Sequence, residues 1–354
     1  MESTPRVIID CRFAHLPVGI GRYTREIVSH LVRKDGAMRY VLIVLPEGEQ
    51  WARSLSSCQT VVARAKHYSF REQWELPRLI RNAGGDLLFV PHFNAPLRCP
   101  VPFVVTVHDL ILHRYPNGAS PLRRIAYRFL FAQALRRASR IIAVSAFTAG
   151  ELRSLYGEQV ADKTAVVREG VAGAFHRRGE EEQEAVLKRY GIRKPFFLYV
   201  GNAKEHKNVP LLLDAFARLS PTPSSLVLVL AGPEAGRIRV REGVMVLPGV
   251  PDEHLPALYS AADAFVTATR YEGFGLPVAE AAACGCPVIA ANAGAIPEAA
   301  PEGTVLLPHT VDAFTQAMRN PPAALPPRML SWEAAAEETG RVLLDVIRSS
   351  FLAQ

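Results

Sequence analysis

The 354-residue chain carries 49% hydrophobic and 21% charged side chains, a globular balance that excludes an intrinsically disordered protein and leaves room for about two domains of ~150 residues. Its formal net charge of +7 suits anionic partners, whether phosphates, acidic lipid headgroups or nucleic acid, without choosing between them. Five cysteines, Cys11, Cys58, Cys99, Cys284 and Cys286, form an odd set without CxxC spacing, which argues against a disulfide framework and a zinc site and fits a reducing, cytoplasmic setting.

In chain order, residues 7–10 have strand length, and their apolar part, Val7-Ile8-Ile9, is too short for the hydrophobic region of an export signal. No later run reaches the roughly 18 apolar residues of a membrane span. Next, Val18-Gly19-Ile20-Gly21-Arg22-Tyr23-Thr24-Arg25-Glu26 opens a helix. This Gly-x-Gly-x-x-Thr pattern lacks the third glycine of the dinucleotide fingerprint and lies beyond the end of the strand at Asp10, so it does not support a nicotinamide dehydrogenase. Further strand-length runs at 41–45, 87–90, 103–107 and 141–144 alternate with helix-length stretches. His92, in Pro91-His92-Phe93-Asn94, and His108 with Asp109, in Thr106-Val107-His108-Asp109-Leu110, stand at the carboxyl edges of two of these strands, where the sites of parallel sheets gather. Residues 120–140 read as a basic helix with Phe and Leu on its apolar side. It suits packing on its own sheet and lying on an anionic membrane equally well.

Between Glu169 and Glu180 the period is lost and glycines intervene, which places a domain boundary near residue 175. The alternation restarts at 196–200, 226–231, 264–267, 288–290 and 305–307. These runs are continuously apolar, as strands covered on both faces are, so the chain is expected to be α/β with two doubly wound parallel sheets. The expected domains are 1–175 and 176–330. Residues 320–327 are too proline-rich for a helix, and an amphipathic helix is expected after them, over 331–354, packing back across the domain junction.

The strongest chemical signal directly follows the run 264–267: Arg270-Tyr271-Glu272-Gly273-Phe274-Gly275-Leu276-Pro277-Val278-Ala279-Glu280. Gly273 and Gly275 leave the backbone bare so that N–H groups can approach an anion, and a helix running to about residue 283 points its positive end at the same place. Glu272 precedes that helix and Glu280 lies on its second turn, so the two carboxylates flank the anion site and suit sugar hydroxyls at either end of a diphosphate. A glycosidase pair of carboxylates would have no use for such a phosphate cradle.

The stretch from Glu272 to Glu280, followed by Cys284-Gly285-Cys286-Pro287-Val288-Ile289-Ala290-Ala291-Asn292 and Ile296-Pro297-Glu298, resembles the donor-binding signature of retaining glycosyltransferase family 4. That family has the GT-B fold, two Rossmann-like domains facing across a cleft. Phe197-Leu198-Tyr199-Val200-Gly201-Asn202 and Lys207-Asn208-Val209-Pro210-Leu211-Leu212-Leu213-Asp214-Ala215-Phe216 resemble the first strand, phosphate loop and first helix of its C-terminal, nucleotide-sugar-binding domain. Residues 18–26 resemble its glycine loop on the acceptor side, in the N-terminal domain. The resemblance implies that Glu272 contacts the transferred sugar, Glu280 the ribose, and the backbone of Gly273, Phe274, Gly275 and Leu276 the diphosphate. It further implies that His108 contacts the donor sugar and supports positive charge developing at the anomeric carbon. Lys207 would meet the leaving diphosphate, where a charge-assisted hydrogen bond contributes about 1.5–3 kcal/mol. Gly19, Gly21, Gly201, Asn202 and Lys204 complete the expected donor site. Asn202 and His206 stand where many relatives carry arginine, which leaves the number of cations on the diphosphate open, with Lys204 as the compensating charge.

The expected activity is therefore transfer of a hexose from a nucleotide sugar to a hydroxyl of a glycan or lipid-linked acceptor in polysaccharide assembly, with retention. No resident cofactor or metal is expected, because the chain has no Asp-x-Asp pair to hold a divalent ion on the nucleotide sugar. Gly19-Ile20-Gly21-Arg22-Tyr23 and Ser69-Phe70-Arg71-Glu72-Gln73 resemble mannosyltransferases of surface-polysaccharide assembly, which favours GDP-mannose as donor and leaves UDP- and dTDP-sugars open. The protein is expected in the cytoplasm, with residues 120–140 as the peripheral contact on the inner membrane face. No nucleic-acid partner is expected, since no aromatic-basic platform accompanies the charge. Two alternatives stand beside this reading: a sugar epimerase or phosphorylase on the same architecture, and a partner-binding subunit that has lost its chemistry. Acceptor and oligomeric state stay open.

Overall fold

A computed structural model of the chain describes residues 4–16, 19–33, 36–115, 120–219, 225–230, 238 and 241–352. Val18 of the glycine loop, Ala231 of the expected strand 226–231 and residues 353 and 354 of the expected C-terminal helix lie outside them. The chain forms two compact units, one of Met1–Gly170 with Trp332–Gln354 and one of Val171–Ser331.

The first unit is built on a seven-stranded parallel sheet: β1 (Arg6–Asp10), β2 (Arg39–Val44), β3 (Gln59–Val62), β4 (Leu87–Val90), β5 (Phe103–Val107), β6 (Arg140–Ala143) and β7 (Thr164–Val166), in the order β3-β2-β1-β4-β5-β6-β7. The apolar runs became the inner strands, β4 and β5 being buried throughout. The edge strands β3 and β7 were not expected; both are short and partly exposed, so they need no continuous apolar run. Helix Gly19–Arg33 buries Tyr23, Ile27, Val28 and Leu31 at helical spacing. The last helix, Trp332–Leu352, packs on it: the rings of Tyr23 and Trp332 meet edge to face at 5.8 Å, and Gly340 stands opposite Leu31.

The second unit holds a five-stranded parallel sheet of β8 (Phe196–Gly201), β9 (Ser225–Leu230), β10 (Val244–Pro248), β11 (Ala264–Thr267) and β12 (Val288–Ala290), in the order β10-β9-β8-β11-β12. The strand expected at 305–307 does not form. Thr304 turns back onto the Pro301 carbonyl, Val305 is 79% exposed, and only Leu307 makes an isolated bridge, to Ala291. The fifth strand is β10 instead, an edge run flanked by Gly243 and Gly249 in left-handed backbone and ending in a proline, as an edge tolerates. Small residues of helix Leu276–Ala283, Ala279, Ala281 and Ala282, let it lie close against the core of Phe265, Leu258 and Tyr259. Among the described residues no helix is long and apolar enough to cross a membrane.

Candidate active site

Strands β8 and β11 are neighbours, so the loops leaving their carboxyl ends emerge side by side. After β8, the Tyr199 hydroxyl donates to the Asn202 carbonyl at 2.6 Å, and Asn202 Oδ1 accepts from the Lys204 N–H at 3.2 Å. A β-carbon on Gly201 would lie 2.9 Å from the Tyr199 hydroxyl, so the loop closes only around glycine. A short 3-10 turn, Glu205–Lys207, then ends at Asn208, whose φ of 51° starts helix Val209–Ala217. From that turn the Lys207 ammonium reaches Glu272 Oε1 in the loop after β11, with 14% and 18% of the two side chains exposed.

Glu272 is fixed from behind. Its carbonyl accepts from the Ala295 N–H at 3.0 Å. Gly294, in left-handed backbone at φ 55°, comes so close that a β-carbon would lie 2.4 Å from the Glu272 carbonyl oxygen and 2.6 Å from its nitrogen. The two loops are joined through the backbone, the Arg270 N–H donating to the His206 carbonyl at 2.7 Å, and from a third segment the His309 side chain donates through Nε2 to the Thr269 carbonyl at 2.8 Å. Gly275 caps helix Leu276–Ala283 from a left-handed φ of 103°, and Pro277 occupies its first turn, where a missing N–H is no loss. Glu280 lies on the second turn, 3% exposed, and accepts from the Tyr259 hydroxyl at 3.3 Å.

Sequence reasoning left the cation count of this loop open, and His206 adds nothing to it. Burial, and then the charges of Lys207 and Lys204, push its imidazole down to about 4, so it is neutral near pH 7. The other basic residues of the loop are Lys207 and the exposed Lys204.

Gly201, Asn202, Lys204, Lys207, residues 272–276 and Glu280 therefore share one unit, whereas Gly19, Gly21 and His108 belong to the other. A β-carbon on Gly21 would lie 2.0 Å from the Leu16 carbonyl oxygen, so this glycine is required by packing, while Gly19 is exposed with nothing within 4 Å of that position. His108 directly follows β5 with both ring nitrogens engaged: Nδ1 lies 3.1 Å from Glu169 Oε1, and Nε2 lies 2.9 Å from the Pro91 carbonyl. Burial alone would lower its pKa, but the hydrogen bond and charge of Glu169 outweigh burial and raise it. His92 is the opposite case. Burial, then the nearby His108 and His67, hold it well below its usual value, and its Nε2 meets the Tyr68 hydroxyl at 2.8 Å.

Sequence reasoning missed Gly294, Tyr259 and Glu169, each of which touches an expected site residue. Gly294 sits in the short gap between the two quoted signature runs, where an isolated glycine was a readable signal. Glu169 read as the start of a linker, because its partner lies 61 positions away. Also missed is a fully buried ion cluster: Arg12 forks onto Asp10 at 2.8 Å through both Nε and Nη2, and reaches Glu72 at 3.0 Å, which in turn accepts from Asn94 at 3.1 Å.

Residues 17–172 match the family described as Glycosyltransferase Family 4, and residues 182–320 match Glycosyl transferases group 1. The chain is similar to the O-antigen chain mannosyltransferase B of Escherichia coli, 33% identical over 259 residues, which are 69% of this chain and 66% of that protein. Across the first three curated relatives the match spans 48% to 66% of their length. Among solved structures, a sucrose-phosphate synthase from Thermosynechococcus elongatus superposes with a TM-score of 0.74 at 18% identity, covering 99% of this chain and 100% of that one. The Anabaena protein HepE, solved in complex with UDP and glucose, gives 0.68 at 18% identity over 99% and 98% of the two chains. At these identities the two structures speak for the fold alone.

Proposed function

Since the chain belongs to the glycosyltransferases of family 4 and has their GT-B fold, we propose that it moves a hexose from a nucleoside-diphosphate sugar to a hydroxyl of a glycan or lipid-linked acceptor, with retention. The observation that carries this reading is the Lys207–Glu272 pair at the carboxyl ends of β8 and β11, beside a helix whose amino end is capped by Gly275. An ammonium together with first-turn amides suits a diphosphate. Glu272, exchanging Lys207 for substrate, suits the hydroxyls of the transferred sugar, and the buried Glu280 suits the ribose. Gly201, Asn202 and Lys204 line the phosphate side with Lys207, and Gly19 and Gly21 shape the loop on the acceptor side.

In the transfer, the bond from the anomeric carbon to the diphosphate oxygen breaks and the bond to the acceptor oxygen forms on the same face. The acceptor's proton passes to the departing phosphate oxygen. Products are the extended glycan and a nucleoside diphosphate, whose charge Lys207 and the amides of 273–276 meet. His108, with Nε2 on the Pro91 carbonyl and Nδ1 beside Glu169, enters as a contact of the donor sugar.

Similarity to the O-antigen mannosyltransferase favours GDP-mannose over UDP- and dTDP-sugars and polysaccharide assembly as the setting. Helix Pro121–Arg137 supports a peripheral contact with anionic lipid: Leu122, Ile125 and Phe129 are 76%, 65% and 54% exposed, among the exposed Arg123, Arg124 and Arg128. Incubating the purified chain with each donor and a lipid-linked glycan, and reading the new linkage by NMR, tests the whole proposal. Mannose in an α-linkage is the expected product; release of free sugar or sugar phosphate without a glycan product contradicts it.

A further inference from the structure

We infer that Glu169 is a positioning residue for glycosyl transfer, holding the His108 ring so that both of its nitrogens donate. This rests on the reading of His108 as a contact of the donor sugar. A peptide carbonyl can only accept, so Nε2, 2.9 Å from the Pro91 oxygen, carries a hydrogen. An ionised carboxylate likewise only accepts, so Nδ1, 3.1 Å from Glu169 Oε1, carries the other. The ring is then an imidazolium whose charge is balanced by Glu169, with 17% and 7% of the two side chains exposed, so it serves the donor sugar by hydrogen bonding and not, as the family resemblance implied, by supporting positive charge at the anomeric carbon.

The remaining surroundings supply little of that counter-charge. The Tyr23 ring meets His108 edge to face at 4.5 Å, with its hydroxyl 3.3 Å from the Thr106 hydroxyl. His92, 6.2 Å away between ring centres, is neutral and would repel rather than attract a cation if it were charged. Asp109 adds negative charge but spends one oxygen on the Ile111 N–H at 2.9 Å. Among the described residues, Glu169 alone makes a side-chain hydrogen bond to the ring.

Two consequences follow. The substrate atom that His108 meets is an acceptor, a hydroxyl or phosphate oxygen, which takes over a hydrogen now given to Pro91. Losing the proton turns one N–H···O contact into two lone pairs facing each other, so the ring loses its orientation and transfer slows at alkaline pH.

The test pairs labelled-histidine NMR titration of the full chain with the pH profile of kcat/KM, for wild type, Glu169→Gln and Glu169→Asp. In Glu169→Gln the His108 titration should fall by about one pH unit, a tenfold loss of proton affinity. The alkaline limb of kcat/KM should fall with it, and kcat should drop more than KM rises; Glu169→Asp should restore both. An unmoved His108 titration overturns the positioning role. A titration that moves while the rate profile stays put overturns instead the assignment of His108 to the donor sugar. If Glu169→Gln does not fold, His108→Gln with and without Glu169→Asp decides. A positioning residue acting through His108 adds no further loss once that ring is gone, whereas an added tenfold loss overturns the inference.

Discussion

Lys207 and Arg12 are both cations hydrogen-bonded to carboxylates, and the chain around them gives them opposite prospects. Arg12 is fully buried, forked onto Asp10, bonded to Glu72 and to the Ala65 carbonyl, and its counter-ions are themselves sealed. Burial disfavours its charge, yet the two carboxylates hold it more firmly charged than in water. Lys207 has one carboxylate partner, partial exposure and a helix amino end nearby. An ion with every donor satisfied in the interior is architecture; an ion with one exchangeable partner at a strand's carboxyl edge is a place for a ligand.

Substituting each cation should separate the two prospects. Arg12→Met leaves two carboxylates buried without their counter-ion, and should destabilise by about 3–5 kcal/mol, read as a lower urea midpoint. Lys207→Ala should instead lower kcat/KM by about 10²–10³-fold, as loss of one preorganised charge donor does, with the midpoint near wild type. A large stability loss in Lys207→Ala, with transfer intact, would erase the distinction.

Gly294→Ala sharpens the picture at the Glu272 side. Its β-carbon would overlap the Glu272 backbone and its left-handed φ disfavours alanine, so a cost of about 1–3 kcal/mol is expected. A fall in kcat/KM should accompany it, because the carboxylate moves with its backbone. Wild-type kinetics in a folded Gly294→Ala would mean that the segment does not set the position of Glu272.

The smallest effects concern pH. His206 has its folded pKa lowered to about 4 from 6.5, so the unfolded chain takes up the proton first and stability is lost as pH falls through that window. His108 has its folded pKa raised, so its contribution is complete below 6.5 and is lost as pH rises through the folded value. Urea midpoints across pH should therefore decline on both sides, and His206→Asn should lessen the acid-side decline, which His67 and His92 share, while leaving the alkaline side unchanged.

Much of this molecule was legible because parallel strands buried on both faces leave unbroken apolar runs. β4, β5, β11 and β12 were readable to the residue, and helix Leu276–Ala283 announced itself by Gly-Phe-Gly before an alanine-rich run. Edge strands β3 and β7 were not, since one open side relaxes the demand for apolar residues, and β10, though apolar, is a short run between two glycines that ends in a proline. The local part of the site was equally visible, for Glu272 and Glu280 belong to one contiguous motif. What held them was not: Tyr259 reaches Glu280 from 21 positions away, and His309 reaches the Thr269 carbonyl from 40. Such contacts are made by topology, and no short window of sequence encodes them.

Crystals soaked with GDP and with GDP-mannose test the central claim most directly. The account predicts a diphosphate on Lys207 and the amides of residues 273–276, with ribose at Glu280 and Lys207 released from Glu272. A nucleotide bound elsewhere, with the Lys207–Glu272 pair intact, would contradict it.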